Sequence, residues 1–153
     1  GQIGWMHLAR YEYRIKENFL DFSFTNSGPK GKIEKVIRYT KALGNIYNLA
    51  FGDWNKKKRT LDSQIRSNNG DRDKILATVA YSVVQFLNHR VDAVIGITGE
   101  TNARTRLYQM GINKHLNEIS FSYHVKGAEN GVLKVFRPGK NYEGFVLSKK
   151  RKL

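Results

Sequence analysis

The chain has 153 residues, 40% of them apolar and 12% aromatic, enough for one domain with its own core and too much apolar content for default disorder. It contains no cysteine, which excludes disulfides, thiolate metal sites and a cysteine nucleophile. Lys and Arg number 27 against 13 Asp and Glu, a formal charge of +14. A surplus of that size attracts polyanions in a salt-dependent way, so nucleic acid is the leading partner class, RNA ahead of DNA, against a plainly solvated surface.

No apolar run is long enough to span a bilayer and the amino terminus lacks a charged-then-apolar signal pattern, so a soluble, cytoplasmic protein with no membrane partner is expected. Residues 1–5 read as a tag remnant or ragged start, 6–148 as a single α+β domain and 149–153 as a basic tail.

In chain order, residues 9–16 carry Tyr11, Tyr13 and Ile15 in alternation and 19–25 carry Leu20, Phe22 and Phe24 likewise, the pattern of half-buried strands paired as a hairpin. Gly28, Pro29 and Gly31 supply turn chemistry. Residues 32–40 fit both a helix and a strand; the β-branched content favours the strand. A turn at 42–45 leads into an apolar strand over 46–51. Polar residues fill 52–70, with Trp54 beside Lys56, Lys57, Lys58 and Arg59 and a further short strand over 61–65. Lysines that neutralise phosphate beside an indole that stacks on a base suit nucleic acid; a hydrated hairpin tip carrying one packed Trp fits equally well.

From Asp71 to Leu87, apolar residues recur at three- and four-residue spacing behind an Asp that can cap the first turn, which predicts a helix. Residues 91–98 form an apolar strand covered on both faces, suggesting a βαβ-like unit. A second helix follows over 103–110, with Gly111 expected to end it in a left-handed conformation. Asn113 can cap a short turn reaching Ile119, and strands are expected over 121–125, 132–136 and 142–147, the first two joined by an Asn130-Gly131 hairpin turn.

His7, His89, His115 and His124 are scattered, so no metal site is expected. There is no Gly-x-Ser-x-Gly elbow and no phosphate loop ending in Gly-Lys-Ser or Gly-Lys-Thr. Two helix starts remain, 67–71 and 98–102, whose free N–H groups can meet anions; the second is followed by Arg104 and Arg106. Asp71 and Glu100 count against an anion there, and capped turns with solvated or paired arginines explain the same residues.

Two resemblances attach to these residues. Ser67 to Asp71, Leu76 to Ala80 and Thr98 to Lys114, with Gly28 to Ile33, Asn48 to Asp53 and Gly139 to Glu143, resemble a small uncharacterised bacterial family over nearly the whole chain, which brings no established activity. About a third of the chain resembles the GNAT-type N-acetyltransferases, in which a helix, a central strand and a second helix opening with Asn and carrying Leu-Tyr follow one another. Asn102, Ala103, Leu107, Tyr108, Gly111 and Ile112 stand in that order here. The resemblance implies acetyl-coenzyme A as cofactor, Asn102 contacting it and Tyr108 protonating the departing thiolate. This chain departs from that family at Arg66 to Asp71, where one glycine followed by a carboxylate replaces a glycine-rich pyrophosphate loop.

The expected fold is α+β: a curved, mostly antiparallel sheet of about six to eight strands carrying two main helices, in a GNAT-like arrangement. The leading function is nucleic-acid binding through Trp54, Lys56, Lys57, Lys58, Arg59, Arg104 and Arg106, as a toxin-like member of a two-gene module. A GNAT-like acyltransferase and a module for an acidic protein partner are the alternatives. The first reading needs no cofactor.

Overall fold

Long alternating segments at the start of the chain commit it to sheet. In the computed structural model, which describes residues 9–62 and 70–151, β1 (Arg14–Lys16), β2 (Asp21–Gly28), β3 (Gly31–Leu43), β4 (Ile46–Asn55) and β5 (Thr60–Asp62) form an antiparallel meander. Gly31 takes a φ of +89° at the β2–β3 turn, a conformation that suits glycine. Helix α1 (Arg72–His89) then crosses over to β6 (Val94–Ile97), which pairs parallel with β4. Helices α2 (Asn102–Lys114) and α3 (Leu116–Ser122) lead to β7 (Tyr123–Glu129), β8 (Val132–Val135) and β9 (Gly144–Lys149), with β9 inserted antiparallel between β6 and β7. The sheet order is β1-β2-β3-β4-β6-β9-β7-β8, with β5 on β4. The expected α+β class and mostly antiparallel sheet are present, with nine strands and a third, short helix among the described residues.

All three helices pack on one face of the sheet. Register puts Phe22, Ile37, Leu49, Phe51, Ile95, Leu147 and Val125 on that face, and they are buried. Tyr39 stacks on Phe86 of α1 at 4.2 Å, and its hydroxyl lies 2.8 Å from Ser82. These rings and aliphatic chains form one continuous core.

Several local expectations need correction. Residues 9–13 are not strand: the Tyr11 N–H donates to Thr78 on α1, and its ring stacks on Phe24. Helix α1 is not capped by the Asp71 side chain, because that carboxylate accepts from the Tyr11 hydroxyl at 2.5 Å. Gly111 does not end α2: the helix continues to Lys114, and Gly111 keeps helical backbone facing Leu76 of α1. Asn113 therefore lies inside α2, and His115 precedes α3. Phe121 belongs to α3 and is exposed. The tail is tied down as far as Arg151: the Lys150 N–H donates to Ser122, and Arg151 pairs with Asp92 at 2.8 Å. Residues 1–5, 63–65, the turn 67–69 and Lys152 lie outside the described residues.

Candidate functional site

Two surfaces concentrate the candidate residues, one on each side of the sheet. On the side without helices, register aligns Arg14, Lys16, Lys32, Arg38 and Lys126 with the carboxylates Asp21 and Glu34. Trp54 shares this face because β4 continues past Gly52 before turning, and it lies opposite Leu61 of β5. The Arg38 guanidinium sits 5.8 Å from the Trp54 ring and makes a bidentate pair with Asp21, at 2.9 and 3.1 Å. That pair holds the Arg38 pKa above its ordinary value, against the opposing effect of burial. A guanidinium fixed in this way orients the indole, which stays half-exposed.

The adjoining β4–β5 hairpin carries Lys56, Lys57, Lys58 and Arg59 at its tip, all exposed. Lys56 lies 3.8 Å from Glu34, an exposed pair worth little. The Lys58 N–H donates to Asn55, and Arg59 has a φ of +54°, so the tip is a tight turn with its cations directed outward. Trp54 thus stands on the strand that leads directly into this exposed cluster.

Arg104 and Arg106 are not part of that surface. β4 pairs with β6 from Ile46 opposite Val94 as far as Leu49 opposite Ile97, and beyond that it continues beside β3 and β5 without β6. Past that point the Arg104 guanidinium lies 5.2 Å from the Phe51 ring and donates to the Phe51 carbonyl at 3.1 Å. Arg106 donates to Gln109 at 2.8 Å and to the Tyr142 carbonyl at 3.1 Å. Both arginines stitch α2 to the sheet and to the loop before β9.

On the helical side, a cavity of about 400 Å³ opens between α1, α2 and α3 over Ile97, Leu147 and Tyr123. Its lining is almost wholly apolar, and Tyr108 forms part of the wall. Burial pushes the Tyr108 pKa up, and the hydrogen-bonded, positively charged Arg104 pulls it partly back. Its hydroxyl thus stays protonated at neutral pH. Asn102 stands in the first turn of α2 and is exposed, so it does not join Tyr108 in the cavity. Among the described residues, no group of His, Asp or Glu could hold a metal ion, and no helix is long and apolar enough to cross a membrane.

The sequence reading missed Arg38 and the cavity. Alternation in β3 places Arg38 opposite the core residues Ile37 and Tyr39, a pattern visible once 32–40 is taken as strand. Ala77, Ala80 and Gly111 are the small residues in the cavity wall, and their short side chains leave its volume unfilled.

The fold and these two surfaces define a basic α+β domain with helices on one sheet face and a polar, cationic surface on the other. The chain belongs to the family described as "Family of unknown function (DUF6934)", whose model matches residues 7–150. No curated protein and no solved structure matches it.

Proposed function

We propose that this protein binds single-stranded nucleic acid, RNA in preference to DNA, across the open sheet face and the β4–β5 hairpin. The observation that carries this reading is the adjacency of Trp54, held by Arg38, to the exposed cations Lys57, Lys58 and Arg59. An indole beside exposed cations provides a stacking surface next to phosphate contacts, and a sheet face that no described helix covers is a surface on which bases can lie. The formal charge of +14 adds long-range attraction. A toxin-like role in a two-gene module is compatible with this chemistry.

The test is a salt titration of labelled single strands of RNA and DNA and a matched duplex. Each phosphate contact should contribute a logarithmic slope of about −0.7 on single strands, so replacing Lys57, Lys58 and Arg59 together by Ser should flatten the slope by about two units. Trp54→Ala should weaken single strands more than the duplex. If nothing binds below about 100 µM at low salt, the reading fails.

A second reading, an N-acyltransferase using acetyl-coenzyme A, is supported by the parallel β4–α1–β6 unit, the separation of β4 from β6 past Leu49, and a protonated Tyr108 on α2. Against it, Arg104 already occupies the Phe51 carbonyl at that separation and Asn102 stands apart from Tyr108. Micromolar calorimetric binding of acetyl-coenzyme A, lost in Asn102→Ala, would favour this reading over the first.

A further inference from the structure

The helical face carries a feature that the nucleic-acid reading does not use and to which the acyltransferase reading lends only Tyr108 in the wall. The cavity between α1, α2 and α3 encloses about 400 Å³, within the range of small-molecule sites. At about 30 Å³ for a water-sized group, that is space for roughly a dozen methylenes. Three small residues keep it open: Ala77 and Ala80 on α1 and Gly111 on α2 all line the wall. Leu76, the nearest neighbour of Gly111 across the helix crossing, comes only to 3.9 Å of where a Gly111 Cβ would stand. The helices are in contact at that point while the space beside it remains unfilled.

The chemistry of the mouth is different from that of the wall. Asp73 and Lys114 are exposed and Lys74 is half-buried, so these lining residues mark where the cavity meets solvent. The Lys74 ammonium lies 4.2 Å from the Tyr11 ring centre, and Lys114 makes no ion pair among the described residues. His115, also at the wall, pairs with Glu118 at 3.3 Å. Two lysines against Asp73 leave the rim cationic in a molecule of +14. An apolar chamber of this volume with a cationic rim matches a ligand that has a hydrocarbon tail of about a dozen carbons and one anionic head.

We infer that this cavity binds a single-chain anionic amphiphile of the fatty-carboxylate class, its tail between α1 and α2 and its carboxylate at Lys114 and Lys74. The site lies across the sheet from the nucleic-acid surface, so the two readings fail independently.

The experiment is calorimetry of the full chain with dodecanoate, decanoate and dodecyltrimethylammonium, each below its micelle concentration. Dodecanoate should bind one-to-one in the micromolar range. Each methylene removed should weaken binding about fourfold, making decanoate roughly fifteenfold weaker. Dodecyltrimethylammonium should bind at least tenfold more weakly than dodecanoate. Ala80→Leu and Gly111→Leu, which fill the chamber from opposite walls, should each weaken dodecanoate at least tenfold in protein that still melts cooperatively. Lys114→Glu leaves the chamber intact, and should weaken dodecanoate several-fold while strengthening the cationic amphiphile. Absence of saturable one-to-one binding would overturn the inference, as would equal affinity for the two head groups or indifference to both chamber-filling variants.

Discussion

Two glycines show how the same residue serves opposite purposes. Gly111 lies in the interior of α2 with helical backbone, and a Cβ there would meet only Leu76 side-chain carbons at ordinary contact distance. Gly111→Ala should therefore stabilise the protein by about 0.5–1 kcal/mol, because alanine loses less backbone entropy on entering a helix. Chemical denaturation checks this; a loss of stability would mean that the α1–α2 crossing has no room for one methyl. Gly127 on β7 is the reverse case. The ring of Tyr142, 1% exposed, sits directly over it where a Cβ would have to go. The Tyr142 hydroxyl accepts from the Arg137 N–H at 2.9 Å, and the Tyr142 carbonyl accepts from Arg106, so the ring cannot withdraw without breaking the loop before β9. Gly127→Ala should cost about 1–3 kcal/mol by overpacking, read from the same denaturation curves, whereas Ala at Gly131, with open space around it, should show only the smaller penalty of its positive φ.

At the scale of elements, α2 is positioned by its first turn. The Thr101 hydroxyl accepts from the Arg104 N–H at 3.1 Å, and Thr105 accepts from the Gly99 N–H at 3.1 Å. This capping fixes the residue whose guanidinium reaches the Phe51 carbonyl and the Tyr108 hydroxyl. Thr101→Ala should cost about 1 kcal/mol and Thr101→Ser much less. Hydrogen exchange at the amides of the first turn of α2 should accelerate in the Ala variant alone; equal protection in both would remove Thr101 as the cap. Much of this layer was legible beforehand. The hairpins and α1 announce themselves through local periodicity and turn chemistry, as at Gly28 to Gly31 and from Ile75 to Leu87. The insertion of β9 between β6 and β7 was not legible, because that pairing joins residues far apart in sequence whose patterns would suit other neighbours equally. The role of Arg104 was hidden for the same reason: it depends on where β6 stops pairing with β4. The cavity was obscured because Gly111 carries two meanings, and helix termination was the wrong one here.

At the scale of the whole molecule, burial of phenols makes stability sensitive to alkali. Tyr39 is 1% exposed and Tyr108 is 7% exposed. Burial pushes both pKa values above the ordinary 10.0, with smaller opposing effects from Ser82 at Tyr39 and from Arg104 at Tyr108. The folded state thus keeps protons that the unfolded chain gives up above pH 10. The stabilisation from these groups is complete below the unfolded-state value and is lost as pH rises from there toward the folded-state value. A full proton difference tilts stability by about 1.4 kcal/mol per pH unit, and each phenol approaches that slope only once its unfolded form is ionised, so stability should fall progressively above pH 10. Tyr11, Tyr13 and Tyr123 shift in the same direction. Lysine deprotonation works the other way, because it relieves the mutual repulsion of a chain at +14. Tyr39→Phe separates the two effects. Ser82 keeps its bond to the Val79 carbonyl at 2.7 Å, so the variant should lose under about 1 kcal/mol at neutral pH. Its stability should then decline more gently above pH 10 than that of the unaltered chain, by up to about 1.4 kcal/mol per unit. Denaturation curves at a series of alkaline pH values measure that difference, while phenolate absorbance should appear together with unfolding. Identical slopes in the two proteins would mean that Tyr39 makes no proton difference between the folded and the unfolded chain.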